Sequence, residues 1–349
     1  MTDGPRVMQA MAGAAVGGAE AFFMRLTIAL HQAGQDQRVV LRRHEGRAAE
    51  LRAAGIEPVQ LPFSGLFDFT TRHRWRSAMA DYAPQVVLTW MNRATSFCPP
   101  PGPGLQPFVH AARLGGYYKL KHYDRCDHLI GNTKGICEYL VDNGWQPERV
   151  HHIPNFVDTH TAPPASREEY ATPAGAPLLF AAGRFHDNKG FDTLLRVLKR
   201  LPDCYLWLAG TGPLEPTMRR VSAELGLLER VRFLGWHNDL APFYAAADVF
   251  VCPSRHEPLG NVVLEAWAQG VPVVSTQSEG PTELIVEGSS GLLVPIDDEA
   301  EMTAAIQRLL DRPELRERLV NGGHLAYDRD FSRDSVVDRY RRFFARVAA

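Results

Sequence analysis

Residues 249–275 read VFVCPSRHEPLGNVVLEAWAQGVPVVS. Val249–Cys252 is a short apolar run stopped by Pro253 and reads as a buried strand. Asn261–Ala268 sets Val262, Val263, Ala266 and Trp267 along a packing face and reads as a helix. Residues 271–275 form a second apolar, β-branched run. Strand, loop, helix and strand in immediate succession is the unit from which parallel sheets are built.

The same alternation fills the rest of the chain. Strands are expected at 6–8, 38–41, 59–61, 86–90, 108–111, 128–130 and 150–153. After a proline-rich stretch over 159–177, more follow at 178–182, 204–209, 231–234, 249–252, 271–275 and 292–294. Helices are expected at 19–33, 191–200, 215–225, 241–246, 261–268 and 299–310. A final helix over 334–347 carries an apolar stripe of Val336, Val337, Tyr340, Phe343, Phe344 and Val347, and could pack on either half. The chain thus reads as two α/β halves, with 161–177 as a linker between them.

Composition narrows the class. With 349 residues, 45% hydrophobic and 22% charged, the chain is long enough for two domains and too apolar for wholesale disorder. A formal charge of −2 gives no reason to expect a nucleic-acid partner. No apolar run approaches the length of a spanning helix, and the first residues read as mature sequence rather than a signal peptide. Five widely spaced cysteines, none in a CxxC pair, read as reduced thiols of a cytoplasmic protein. No HExxH, GxSxG or P-loop is present, and no metal site is expected.

Chemistry concentrates where strands are followed by glycine and charge. Between the strand at 249–252 and the helix at 261–268 stand Glu257 and Gly260. Backbone N–H groups of Gly260 and Asn261 at a helix start suit a phosphate, and Glu257 and Glu265 would flank it as acceptors for sugar hydroxyls. Taken alone, the same residues also fit a helix cap and a surface glutamate. After the strand at 178–182, GRFHDNKG (183–190) brings out Arg184 and Lys189, a pair suited to a diphosphate or simply solvated loop cations. Gly210-Thr211-Gly212 and Gly280 follow two further strands. In the first half, Gly17 and Gly18 permit close approach of a ligand, without forming GxGxxG. His110, following strand residues 107–109, either bonds a sugar or caps the strand, and Asn155 reads as structural. Basic and aromatic residues cluster at Phe67, Phe69, Arg72, His73, Arg74, Trp75 and Arg76, and again at Arg113, Tyr117, Tyr118, Lys119 and Lys121. They form either a solvated face or a surface for an anionic acceptor or membrane headgroups.

Together these residues resemble the retaining glycosyltransferases of family 4. Glu257 and Glu265 match the family's EX7E motif within EPLGNVVLEAWAQGVPVVST, and Arg184 and Lys189 match its donor-phosphate pair. GGAE at 17–20 resembles the glycine-rich loop, and IPNFVD at 153–158 resembles IPNGVD, with Phe156 in place of Gly. Pro258-Leu259 replaces the more frequent Gly-Phe. RLGGYYKLKHYDRCDHLIGNTKGI (113–136) resembles bacterial members that build lipopolysaccharide or other surface polysaccharides.

The resemblance implies a GT-B fold of class α/β, two Rossmann-like domains facing across a central cleft. It implies an acceptor domain over 1–160 plus 332–349 and a donor-nucleotide domain over 178–331. A UDP-, GDP- or ADP-sugar would be the donor and a glycan or lipid-linked molecule the acceptor, without metal or cofactor, at the cytoplasmic face of the inner membrane. Arg184 and Lys189 would stabilise the leaving diphosphate, Glu257 and His110 would hold the donor sugar, and Glu265 the ribose. Gly17, Gly18, Gly210, Gly212, Gly260 and Asn261 would line the donor site. Arg72, Arg74, Arg76, Tyr117 and Lys119 would meet acceptor or membrane. A sugar-nucleotide epimerase, a phosphorylase or a non-catalytic nucleotide-sugar binder would use the same fold.

Overall fold

The computed structural model describes residues 4–14, 17–65, 68–157, 160 and 162–349. Phe67 of the basic–aromatic cluster, Asp158 of the IPNFVD segment, and residues 159 and 161 of the expected connection lie outside the described residues. The chain divides into two units, Met1–Asn155 with Arg333–Ala349, and Phe156–Ser332.

The first unit holds seven strands: β1 (Val7–Met11), β2 (Gln37–Arg42), β3 (Val59–Leu61), β4 (Val86–Trp90), β5 (Val109–Leu114), β6 (His128–Gly131) and β7 (Val150–His152). Their order is β3-β2-β1-β4-β5-β6-β7, all parallel. The central strands β1 and β4 are buried along their whole length, which is why they read as continuous apolar runs. Beside β1, Met8, Val40, Val87, Trp75 and Phe63 share one cluster, with the Phe63 and Trp75 rings edge to face at 5.7 Å. The helix Arg333–Ala348 belongs to this unit. Its Tyr340 is fully buried and accepts a hydrogen bond from Arg113 Nε at 3.1 Å, and Phe343 stacks near His151 at 4.9 Å.

The second unit holds β8 (Leu178–Ala182), β9 (Tyr205–Ala209), β10 (Val231–Gly235), β11 (Val249–Cys252), β12 (Val273–Thr276) and β13 (Leu292–Val294). Their order is β10-β9-β8-β11-β12-β13, again all parallel. Apolar clusters cover both faces of this sheet, one around Leu179, Leu195 and Ile306, the other around Phe180, Trp207 and Trp267. Both units therefore carry the Rossmann strand order, reversing direction at their first strand.

The stretch expected as a linker packs against the second unit wherever its residues are described. Arg167 donates to Ala246 O at 2.7 Å and to Ala176 O at 2.9 Å, and pairs with Asp248 at 2.9 Å. Ala165 N donates to Pro242 O, and Thr172 Oγ1 accepts from Trp207 Nε1 at 2.9 Å. These bonds bind the proline-rich stretch to the second unit, and the unit boundary falls at Asn155–Phe156.

The strand around His110 runs further than expected, from Val109 to Leu114. His110 stands near the start of β5, paired with Val87, and is 6% exposed. Its Nε2 lies 3.0 Å from Thr89 Oγ1, its Nδ1 faces Cys126 Sγ at 3.7 Å, and its backbone N–H donates to Asp127 Oδ2 at 2.8 Å. It is a buried, hydrogen-bonded histidine near the amino end of its strand. Burial pushes its pKa down to about 4. In the same unit, His151 Nδ1 accepts from Arg346 at 3.1 Å and its Nε2 lies 3.1 Å from His128 Nδ1. An arginine only donates, so this imidazole is neutral, and burial takes its pKa to about 4 as well.

Both imidazoles keep full stability above the unfolded-state value of about 6.5 and lose it as pH falls towards about 4, because the unfolded chain takes up protons first. The unfolding free energy, followed through the urea midpoint, is expected to fall between pH 7 and pH 5, by roughly 2 kcal/mol for His110 and by less for the more exposed His151. His110→Asn should flatten part of that fall. A midpoint independent of pH over this window would contradict the buried neutral imidazoles.

Candidate functional site

In an open parallel sheet, ligands bind outside the carboxyl ends of the strands, where the strand order reverses. In the second unit that point lies between β8 and β11. After β8, Gly183 N donates to Ala209 O at 2.9 Å and Phe185 N to Thr211 O at 3.0 Å, so the loops after β8 and β9 stay paired beyond the sheet. Phe185 is buried, edge to face with Phe191 at 5.4 Å. That anchor leaves Arg184 exposed, with no hydrogen bond or ion pair among the described residues. The chain then makes a short turn over Asp187–Lys189 and reaches Gly190 at φ +60°. A Cβ at Gly190 would collide with Pro253 O, so glycine is what brings the β8 loop against the β11 loop. Asn188 O accepts from Arg255 N at 2.7 Å across that contact.

There Lys189 Nζ forms an ion pair with Glu257 Oε2. Glu257 is 7% exposed and held at both ends of its peptide. Its N–H donates to Glu279 Oε2 at 3.2 Å, and its carbonyl accepts from Gly280 N at 2.7 Å. Gly260, at φ +68°, opens the helix Asn261–Ala268, whose first N–H groups have no partner within the helix. Asn261 Oδ1 is buried without a partner among the described residues. Further along, Glu265 Oε2 accepts from Tyr244 OH at 3.0 Å. Burial, followed by the Glu265 charge, raises the Tyr244 phenol well above its usual value.

Lys189, Glu257, Gly260 and Gly280 are therefore in direct contact or one bond apart, with Arg184 on the same loop as Lys189. Gly210 and Gly212 answer to a different need. A Cβ at Gly210 would strike Gly183 O, and one at Gly212 would stand 2.5 Å from Phe185 O. These glycines let two strand-end loops pack, which explains them without a ligand. Gly17 and Gly18 belong to the first unit. Gly17 leaves room for the Glu20 carboxylate, while Gly18 faces open space. Among the described residues no three His, Cys, Asp or Glu side chains are grouped to hold a metal.

The basic cluster is divided by the fold. Trp75 is core, and Arg76 donates to Pro100 O at 3.3 Å and to Pro103 O, tying down a proline loop. Arg72 lies over the Phe97 ring at 5.6 Å. Arg74, Tyr117 and Lys119 are exposed, Tyr117 edge to face with Tyr139 at 5.4 Å.

Two arginines have structural roles that the sequence reading missed: Arg255, which it did not single out, and Arg113, which it placed in the basic surface cluster and which is buried. Arg255 bonds Asp192 at 2.8 Å and 2.9 Å and Asp297 at 2.8 Å, fixing the loop that carries Glu257. Burial opposes the charge of Asp192, but the bonds from Arg255 and Arg196 outweigh it and hold the pKa at about 2. In the first unit, Arg113 is 2% exposed beside Phe22 and Trp90 and donates to Asn155 Oδ1. Their partners are distant in sequence, and no local pattern announces them.

Two cations beside a helix N-terminus can hold a diphosphate, and two carboxylates nearby can accept hydroxyl hydrogen bonds. Comparison with known proteins agrees with that chemistry. Residues 16–161 match the family described as Glycosyltransferase Family 4, and residues 176–312 match Glycosyl transferases group 1. The chain is 37% identical over 341 residues to the lipopolysaccharide core biosynthesis glycosyltransferase LpsE of Rhizobium meliloti (strain 1021), covering 94% of this chain and 96% of that one. Among solved structures, a glycosyltransferase from Rickettsia africae ESF-5 superposes with a TM-score of 0.84 at 15% identity, covering 99% of both chains. Anabaena Alr3699/HepE, in complex with UDP, superposes at 0.81 and 16% identity over 98% of this chain and 100% of that one. The fold is thus GT-B, built of two Rossmann-like units, and the chain belongs to the group 1 glycosyltransferases of family 4.

Proposed function

We propose that this glycosyltransferase moves a sugar from a nucleoside-diphosphate sugar to a glycan or lipid-linked acceptor in bacterial lipopolysaccharide core assembly, with retention of anomeric configuration. The observation that carries the reading is the Lys189–Glu257 pair at the reversal point of the second sheet, with the unpaired Arg184 on the same loop. Without ligand, Glu257 neutralises Lys189. A diphosphate takes over that cation, and Glu257 is released to accept hydrogen bonds from the donor sugar. Arg184 and Lys189 then stabilise the charge that builds on the leaving diphosphate, the largest electrostatic change in the reaction. Glu265, oriented by Tyr244, accepts from ribose hydroxyls. A leaving phosphate oxygen takes the proton of the acceptor hydroxyl, so neither a protein nucleophile nor a divalent metal is required. Uridine is the first base to test, given the UDP held by Alr3699/HepE.

The membrane side of the proposal rests on the helix Phe69–Tyr82. Phe69 is 73% exposed, with the exposed Arg72 and His73 three and four residues on, hence on one face. Among the described residues no helix is long and apolar enough to cross a membrane. We infer peripheral contact with the cytoplasmic face of the inner membrane through this helix.

Lys189→Ala should lower kcat/KM by about 100-fold or more, as loss of one oxyanion-stabilising group does. This is read from nucleoside diphosphate release with truncated lipopolysaccharide core as acceptor, and near-wild-type turnover would remove Lys189 from the reaction. Glu265→Ala should weaken calorimetric binding of free UDP about tenfold; unchanged affinity would take Glu265 out of the ribose site. Pelleting with anionic vesicles should diminish with salt and with a combined Phe69→Ala and Arg72→Ala variant, whereas no pelleting by the wild type would discard the membrane face.

A further inference from the structure

The first unit has its own reversal point, between β1 and β4. Beside it opens a pocket of about 360 Å³ lined by Ala12, Gly13, Ala14, Arg42, Met91, Asn92, Arg93 and Tyr118. Arg42 is the last residue of β2, and Met91 directly follows β4. The pocket therefore sits at the carboxyl ends of the strands, the edge where such sheets bind ligands.

Every charged or polar side chain lining it is available as a donor. Arg42 and Arg93 are exposed, and neither makes a hydrogen bond or ion pair among the described residues. Asn92 Oδ1 accepts from the fully buried Tyr123 hydroxyl at 2.7 Å. With its oxygen turned to Tyr123, Asn92 has its NH2 group free to donate into the pocket. Tyr118 is partly buried and its hydroxyl has no partner among the described residues; burial raises its pKa, which keeps the proton on it. The nearby carboxylate, Glu20, lies behind the Gly13–Ala14 segment, is 4% exposed, and accepts from Ala14 N–H at 2.6 Å. It is not part of the lining.

The backbone is strained at the same place. Met91 has φ +62°, a conformation that side chains other than glycine rarely adopt. Its carbonyl accepts from Thr95 Oγ1 at 2.7 Å, and Thr95 Oγ1 lies 2.9 Å from Thr89 Oγ1 on β4, so the strand itself holds the turn that presents Asn92 and Arg93. Such strain persists where the surroundings fix it, and it clusters at ligand sites.

We propose that this pocket is an oxyanion subsite for the acceptor, taking a carboxylate or phosphate carried by the acceptor sugar. This rests on the transferase reading given above. Two guanidiniums, an amide NH2 and a phenol all offer hydrogens, and a ligand that only accepts complements them. A neutral sugar hydroxyl, which needs acceptors as well as donors, leaves the set half used.

The test is equilibrium binding, independent of turnover. Full-length protein with ¹⁵N-labelled arginine is titrated with glucose 6-phosphate, methyl glucuronide and methyl glucoside, without donor, and the arginine Nε resonances are followed. Saturable shifts are expected with one or both anionic sugars and not with methyl glucoside. A response to glucose 6-phosphate alone makes the acceptor group a phosphate; a response to methyl glucuronide alone makes it a carboxylate. Arg42→Gln with Arg93→Gln should raise the dissociation constant at least tenfold while UDP affinity, measured separately by calorimetry, stays within twofold. Equal response to the neutral sugar, no response to either anion, or full affinity in the double variant would overturn the subsite. Failure of UDP, GDP and ADP alike to bind wild-type protein would instead count against the donor site on which the transferase reading rests, so the two failures are told apart.

Discussion

Every strand in both sheets runs parallel to its neighbours, so no two consecutive strands can be joined by a tight turn. Each must be followed by a return path across a face of the sheet. All carboxyl ends of a sheet therefore lie along one edge, and residues far apart in sequence meet there in loops free of ladder bonding. The charged groups of the second unit follow from this constraint: Lys189 follows β8, Glu257 follows β11 and Glu279 follows β12. The strand order, rather than proximity along the chain, makes them neighbours.

What holds these loops is a chain of charge compensation. Asp192 and Asp297 fix Arg255, and the adjacent residues join the β8 loop through Asn188 O. Glu279 fixes the peptide of Glu257, and Glu257 neutralises Lys189. Each partly buried charge has a partner, which keeps the desolvation cost tolerable. Arg184 and the Asn261 amide oxygen are left over, on two of the segments that meet at this edge. A site assembled this way is rigid in its supports and unsatisfied at its face.

The strands were legible because both faces of each sheet are covered, so runs such as Leu178–Ala182 are apolar throughout. Two helices with narrow stripes were not read. The helix Phe69–Tyr82 buries just Thr71, Trp75 and Met79, one residue per turn, and its remaining polar side chains hide the period. The helix Pro313–Ala326 turns Leu315, Leu319 and Gly323 inward, where Gly323 leaves room for the Trp267 ring. A glycine there reads as a breaker, although packing demands it. Glu257, Glu265, Arg184 and Lys189 could be singled out because strand-end chemistry and spacing are local. His110 was misplaced by a strand boundary: β5 runs from Val109 to Leu114, so the residue that looked like the end of a strand stands near its beginning. Arg113 was read as part of a basic surface, and its buried role could not be found, since Tyr340 lies 227 residues away.

The first unit is discontinuous in sequence, and that orders events during synthesis. Domains fold as units while the chain emerges. Phe156–Ser332 is continuous in sequence and takes nothing from Arg333–Ala349. Until those last residues dock, the first sheet lacks the helix that buries Phe343 and Phe344 and that gives Arg113 the Tyr340 hydroxyl. A chain whose last helix is not yet docked therefore has a first unit with an uncovered apolar strip, and Arg113 without one of its partners, while the second unit has all of its own segments. The unit begun first is finished last, and the burden on chaperones falls on the amino-terminal half.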